Sequence, residues 1–182
     1  MNVAAELAKL DYVELFLRTG TAQMDRLWSG PNGPRDLEAL AVDPDAPWEP
    51  RFLACEILFR NRPDFPSVEQ KHALASAYVE ALRAAGIGNV WGLPGELDGP
   101  AGQHLVSLGD DVTPGLMRLL DDDRQVPYWG SKEAMLGNSY AFRVKDFAAF
   151  FLSKIRGVSY VLHTDPSSRD ADIRALRAGR QA

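Results

Sequence analysis

Apolar side chains return every three or four residues through much of this chain, and the runs stop at proline or glycine, which is the pattern of helices separated by turns. All twelve prolines fall between the periodic runs or where a first helical turn would lie, so the long runs are free to be helical. Leu7, Leu10, Val13 or Glu14, and Leu17 mark one stripe over residues 3–18, and a shorter helix is expected over 22–28. Five prolines in the twenty-two residues from Ser29 to Pro50 predict mostly loop, with a turn of helix over 35–40. Residues 51–61 are apolar on most sides, which predicts a covered helix whose remaining wet stripe carries Glu56 and Arg60, four apart.

The next helix has both ends written locally. Ser67 and Gln70 have the spacing of a capping box, Leu74, Tyr78, Ala81, Leu82 and Ala85 share one face, and Gly86 is expected as the left-handed cap. Residues 86–102 are glycine-rich and read as irregular. A short helix to Gly109, a tight turn at Asp110 and Asp111, and a helix over 112–120 with Pro114 in its first turn follow. A second loop over 121–138 leads to a strong helix at 140–156, in which Val144, Phe147, Ala148, Phe151 and Ile155 form one face widened by Phe150 and Leu152. An extended piece over 158–163 and a helix opened by Ser167 and running to Ala178 complete the reading.

Two of these segments invite alignment with each other. Arg51-Phe-Leu-Ala54 and Arg143-Val-Lys-Asp-Phe-Ala148 start 92 residues apart, twice 46, within the ~40–47 residue period of HEAT and armadillo units. Leu105 to Asp122, through Gly109, Val112, Pro114, Leu116, Leu119 and Leu120, resembles the turn and second helix of a HEAT repeat, and Arg143 to Gly157 resembles the first helix of the next. The chain is also similar to a group of uncharacterised bacterial HEAT-like proteins in Asn89-Val-Trp91-Gly92-Leu-Pro94, Tyr128-Trp-Gly130-Ser131 and Arg143-Val-Lys145-Asp146-Phe147. The resemblance implies an all-α fold, a short right-handed α-solenoid of HEAT-like helix pairs with two long loop insertions. It implies one domain over 1–182, with N-terminal helices and a Pro-rich loop in 1–50, the repeat core in 51–157 and an extension in 158–182. It implies no activity, since fold alone does not carry one.

Composition narrows the function classes. The 182 residues carry 20 Lys and Arg against 25 Asp and Glu, a net charge of −5 that works against unselective binding to phosphate backbones. Nucleic acid is therefore an unlikely partner, although Arg169, Arg174, Arg177 and Arg180 make the last helix locally basic. Charged residues interrupt the N-terminal run and no stretch reaches the ~20 apolar residues needed to cross a bilayer, so no membrane partner and a cytoplasmic location are expected. The lone Cys55 sits among apolar neighbours, which predicts packing rather than reactivity. His72, His104 and His163 have no short mutual spacing, and no HExxH, CxxC, GxSxG or phosphate-loop pattern occurs, so no cofactor is expected.

What remains is a short set of candidates. Asp121, Asp122 and Asp123 have the oxygens for a hard cation, though an acidic turn after a helix reads the same way, and they are kept only as weak metal candidates. Trp91 and Trp129, each followed by glycine and each on an over-long loop, are candidate anchors for a partner, with Tyr128 beside the second; the competing reading makes them caps that plug helix ends. Arg143 and Lys145 are candidate ligand contacts, against a structural pairing of Arg143 with Asp146. The leading expectation is a module that binds a protein or peptide, leaning away from an enzyme. The alternative is a small-ligand or catalytic pocket where Trp91, Tyr128, Trp129, Asp122, Arg143 and His104 converge, and the third is a nucleic-acid-binding HEAT-like protein.

Overall fold

A computed structural model describes residues 2–13, 15, 21–130 and 132–179 of the chain, and among them the regular structure is entirely helical, ten α-helices and no strand. The chain is all-α. It groups into two compact units, residues 1–81 and 82–182.

In the first unit, α1 (Val3–Leu7), α2 (Thr21–Trp28), α3 (Gly33–Val42), α4 (Trp48–Asn61) and most of α5 (Val68–Arg83) enclose a core built on the α3–α4 pair, with α1 against both. The predicted first helix is cut short: Lys9 and Leu10 close back onto the carbonyls of Glu6 and Leu7, so the apolar stripe crosses a turn, and Glu14, Leu17 and Arg18 lie outside the described residues. The predicted loop before residue 50 holds a full helix instead. Pro34 sits in the first turn of α3, where a missing amide costs nothing, and Leu37, Leu40 and Ala41 give the helix a buried face.

Helix α4 is covered on all sides, and the expected wet stripe is half wrong. Arg60 is exposed, but Glu56 is buried and accepts a hydrogen bond from Tyr78 Oη, while Arg51 is buried against the Ala41 and Ala73 carbonyls and Ser76 Oγ. Tyr78 therefore serves both as an aromatic partner of Phe52 (5.1 Å) and Phe59 (6.2 Å) and as the donor that satisfies a buried carboxylate. Cys55 packs in this core, and burial beside Glu56 pushes its thiol far above its ordinary range, which makes it inert. The Gln70 side chain reaches back to the Ser67 N–H (2.9 Å) as the capping spacing predicted. The helix stops at Arg83, however, and Gly86 does not adopt the left-handed conformation.

The second unit is organised around α9 (Val144–Arg156), against which α6 (Pro100–Ser107), α7 (Thr113–Leu119) and α10 (Pro166–Arg177) pack. A 3-10 turn over Gly109–Val112 joins α6 to α7, and α8 (Lys132–Tyr140) starts inside the predicted second loop and runs past its end at 138. The strong helix predicted from residue 140 begins four residues later. Ala141 takes a positive φ (49°), and residues 124–126 then pair antiparallel with 142–144 through Val126 N–H to Phe142 O and Val144 N–H to Arg124 O, both 2.9 Å. Asp165, rather than Ser167, caps α10 by accepting from the Ser168 N–H at 2.9 Å.

Candidate functional site

The loop over 86–102 and the segment around Tyr128 form one assembly in the second unit. Tyr128 is buried, its Oη donates to the Gly92 carbonyl at 2.7 Å, and its ring packs near Phe142 and Phe147. Two glycines make room for that ring: a Cβ at Gly88 would come within 2.5 Å of it and one at Gly137, in α8, within 2.3 Å. Burial pushes the phenol above its ordinary range, so it stays a neutral donor.

The backbone on either side is clasped by amide side chains. Asn138 accepts from the Tyr128 N–H and donates to its carbonyl, both at 2.8 Å; Asn89 accepts from the Trp129 N–H at 2.9 Å and donates to its carbonyl at 3.1 Å. Gly88 N–H adds a bond to the Pro127 carbonyl at 2.8 Å. Residues 127–129 thus continue the pairing of 124–126 with 142–144 by bonding to amide side chains and to Gly88. The two candidate tryptophans part company here. Trp91 is 2% exposed and packs on Phe151 (6.3 Å between ring centroids), whereas Trp129 is 67% exposed at the end of the clasped segment. Met135 and Leu136, on α8, are also exposed apolar residues.

Arg143 and Lys145 belong to a different construction at the first turn of α9. Asp146 is fully buried and its carboxylate accepts from the Arg143 N–H (2.8 Å), Nε (3.0 Å) and Nη2 (2.9 Å), so one side chain both caps the helix and binds a guanidinium. Arg169 of α10 approaches the same carboxylate at 3.3 Å and donates to the His163, Thr164 and Tyr140 carbonyls. Asp170 bridges Arg143 Nη2 (2.8 Å) and Lys145 Nζ (2.9 Å), and Asp123 reaches both cations as well, at 3.2 and 2.6 Å. Three cations and three carboxylates balance. Burial works against the charged form of Arg143, but Asp146 and Asp170 outweigh it and raise its pKa; Asp123 and Asp170 do the same for Lys145.

The three consecutive aspartates diverge. Asp121 pairs with Arg177 (2.8 Å), Asp122 turns onto Arg124, which holds its carboxyl below the usual range, and Asp123 joins the Arg143 and Lys145 network. Among the described residues no group of three or more His, Cys, Asp or Glu is placed to hold a metal ion. Of the six side chains of the expected pocket, Trp91 and Tyr128 pack inside, Trp129 faces out, and Asp122 and Arg143 form ion pairs. Of the basic residues expected on the last helix, Arg169 is buried, Arg177 is paired, and Arg180 lies outside the described residues.

The feature that sequence reasoning missed is a crevice lined by Asp146, Ala149 and Ser153 of α9, residues 158–161, and Arg169, Asp172, Ile173 and Leu176 of α10. Its free space of about 30 Å³ suits one or two waters rather than a substrate. Its lining is spread over residues 146–176, and the local signal for it is the i, i+4 pair Arg169 and Ile173, an arginine on the apolar side of α10.

Asp170 makes this network pH-dependent. Burial would raise its pKa, but Arg143 and Lys145 hold it below the ordinary carboxylate value. A depressed folded pKa gives stability that is complete above the unfolded value, ~3.9, and is lost as pH falls through the folded one. The melting temperature is therefore expected to fall below about pH 4, and the Asp170→Asn variant to lose part of that acid dependence when both proteins are melted between pH 2 and 6.

The fold and the site define an all-α protein with a clasped, outward-facing tryptophan and an ionic network built on a buried Asp146, and no helix of the described residues is long and apolar enough to cross a membrane. Compared with known proteins, the chain matches no protein-family model, no curated protein and no solved structure.

Proposed function

We propose that this protein is a binding module for a protein or peptide, anchored by Trp129 on a scaffold of HEAT-like helix pairs. The observation that carries the reading is the contrast between neighbours: Tyr128 is buried and fully bonded, while Trp129 is 67% exposed on a backbone held by Asn89 at both of its polar atoms. A large aromatic on a fixed backbone loses little freedom when a partner covers it, so more of its burial is kept as affinity. A tryptophan without such a role gains nothing from that presentation. The pairing of α3 with α4 in the first unit, and of α6 and α7 with α9 in the second, supports helix pairs within each unit as the scaffold.

Trp129→Ala is expected to abolish most partner capture while leaving stability within about 0.5 kcal/mol, because the side chain packs on little of its own protein. The check is affinity capture from the native host with wild type and variant in parallel, the retained protein then purified and titrated against both. A melting loss of many degrees in the variant would show instead that the ring is a structural cap.

A further inference from the structure

Helix α10 is held by charge more than by apolar burial. Only Arg169 and Ile173 of its twelve residues are buried, and a helix of this length is marginal without packing. What docks it is polar: Asp170 on Arg143 and Lys145, Arg169 on Asp146 and the Tyr140 carbonyl, Arg177 on Asp121, and Arg156 donating to the Leu176 carbonyl at 3.1 Å. Beneath it the packing is slack. The crevice separates part of α10 from α9, and the buried Arg169 Nε–H makes no hydrogen bond, since it lies 3.3 Å from Asp146 Oδ1 outside the alignment that a bond requires. By contrast Phe147, Phe150, Phe151 and Leu152 of α9 are wholly buried.

We propose that α10 is an ionic latch, a helix that opens as a unit while α6, α7 and α9 stay folded, with Asp170 between Arg143 and Lys145 as its clasp. Opening would uncover the Asp146, Ala149 and Ser153 strip of α9 and the Ile173 side chain together, turning a water-sized crevice into an accessible groove. Elements that move are drawn from parts of a fold with few buried apolar contacts, and α10 buries a single apolar side chain, Ile173. Its ion pairs are open enough to be screened: the Asp170 side chain is 31% accessible, and those of Arg177 and Asp121 are 43 and 75% accessible.

Native-state hydrogen exchange on the full chain tests this. In the wild type, α10 amides should exchange at least about tenfold faster than those of residues 147–152, after correction for intrinsic rates. Raising salt from about 50 to 500 mM should speed α10 severalfold and leave α9 unchanged, and Asp170→Asn at low salt should speed α10 by about tenfold with α9 still protected. Equal protection of the two helices, or a variant that accelerates both together or neither, would overturn the latch. The wild-type salt arm reads the same quantity if the variant folds poorly.

Discussion

Replacing Tyr128 by alanine is expected to cost about 3–5 kcal/mol, the usual range for a buried aromatic, and to lower the melting temperature by on the order of 10 °C for a chain of this size. The ring fills the space that Gly88 and Gly137 leave open, and its hydroxyl ties the 86–102 loop to residue 128 through the Gly92 carbonyl. Tyr128→Phe keeps the ring and loses the tie, so it should cost only about 1–2 kcal/mol, the penalty of a buried carbonyl left without its donor. The glycines supply a sharper check. Gly137→Ala in the wild type drives a Cβ to 2.3 Å from the ring, so overpacking of about 1–3 kcal/mol is expected. In the Tyr128→Ala background the same change should reverse sign and stabilise by up to about 1 kcal/mol, because the clash is gone and α8 keeps alanine's helix propensity. Thermal melts of the four proteins complete the cycle, and additive effects would mean that the ring and Gly137 do not meet as described.

Tyr128 also shows where a sequence stops being legible. Its partners lie 40 residues upstream at Gly88, 36 at Gly92 and nine downstream at Gly137, and no local pattern links a tyrosine to glycines at those distances. Periodicity reads one helix face at a time, so it located α4, α5, α7 and α9 and the burial of Cys55, each of which depends on neighbours three or four residues apart. It shortened α3 to a single turn and overlooked α8 because proline and glycine marked their surroundings as loop, although the proline of α3 occupies a first turn and the glycine of α8 is a packing site. The pairing of Arg143 with Asp146 was readable, since a three-residue spacing at a helix start is local chemistry. Glu56 was misplaced for the opposite reason: a donor 22 residues away, Tyr78, makes its burial tolerable. The same limit separates the two tryptophans, whose surrounding motifs look alike while one packs on Phe151 and the other faces water.

The second large effect is expected at Asp146. Asp146→Ala removes the acceptor of the Arg143 N–H and leaves the buried Arg169 and the part-buried Arg143 without the carboxylate between them. Breaking a buried pair from one side costs about 3–5 kcal/mol, and the lost cap adds up to about 1 kcal/mol at the start of α9. Asp146→Asn retains an oxygen for the Arg143 N–H but not the charge, so its loss should fall between that of the alanine variant and zero. Salt separates this inner carboxylate from the outer one. Asp146 is shielded from solvent, so the cost of replacing it should hardly change between about 50 and 500 mM salt, whereas the effect of Asp170→Asn, at a partly exposed site, should shrink as ions screen the same two cations. Chemical denaturation with urea, which leaves ionic strength untouched, measures both differences directly. A cost below about 1 kcal/mol for Asp146→Ala would place the carboxylate in a solvated surface pair, and the docking of α10 on α9 would then rest on the Asp170 and Arg177 pairs and on packing around Ile173.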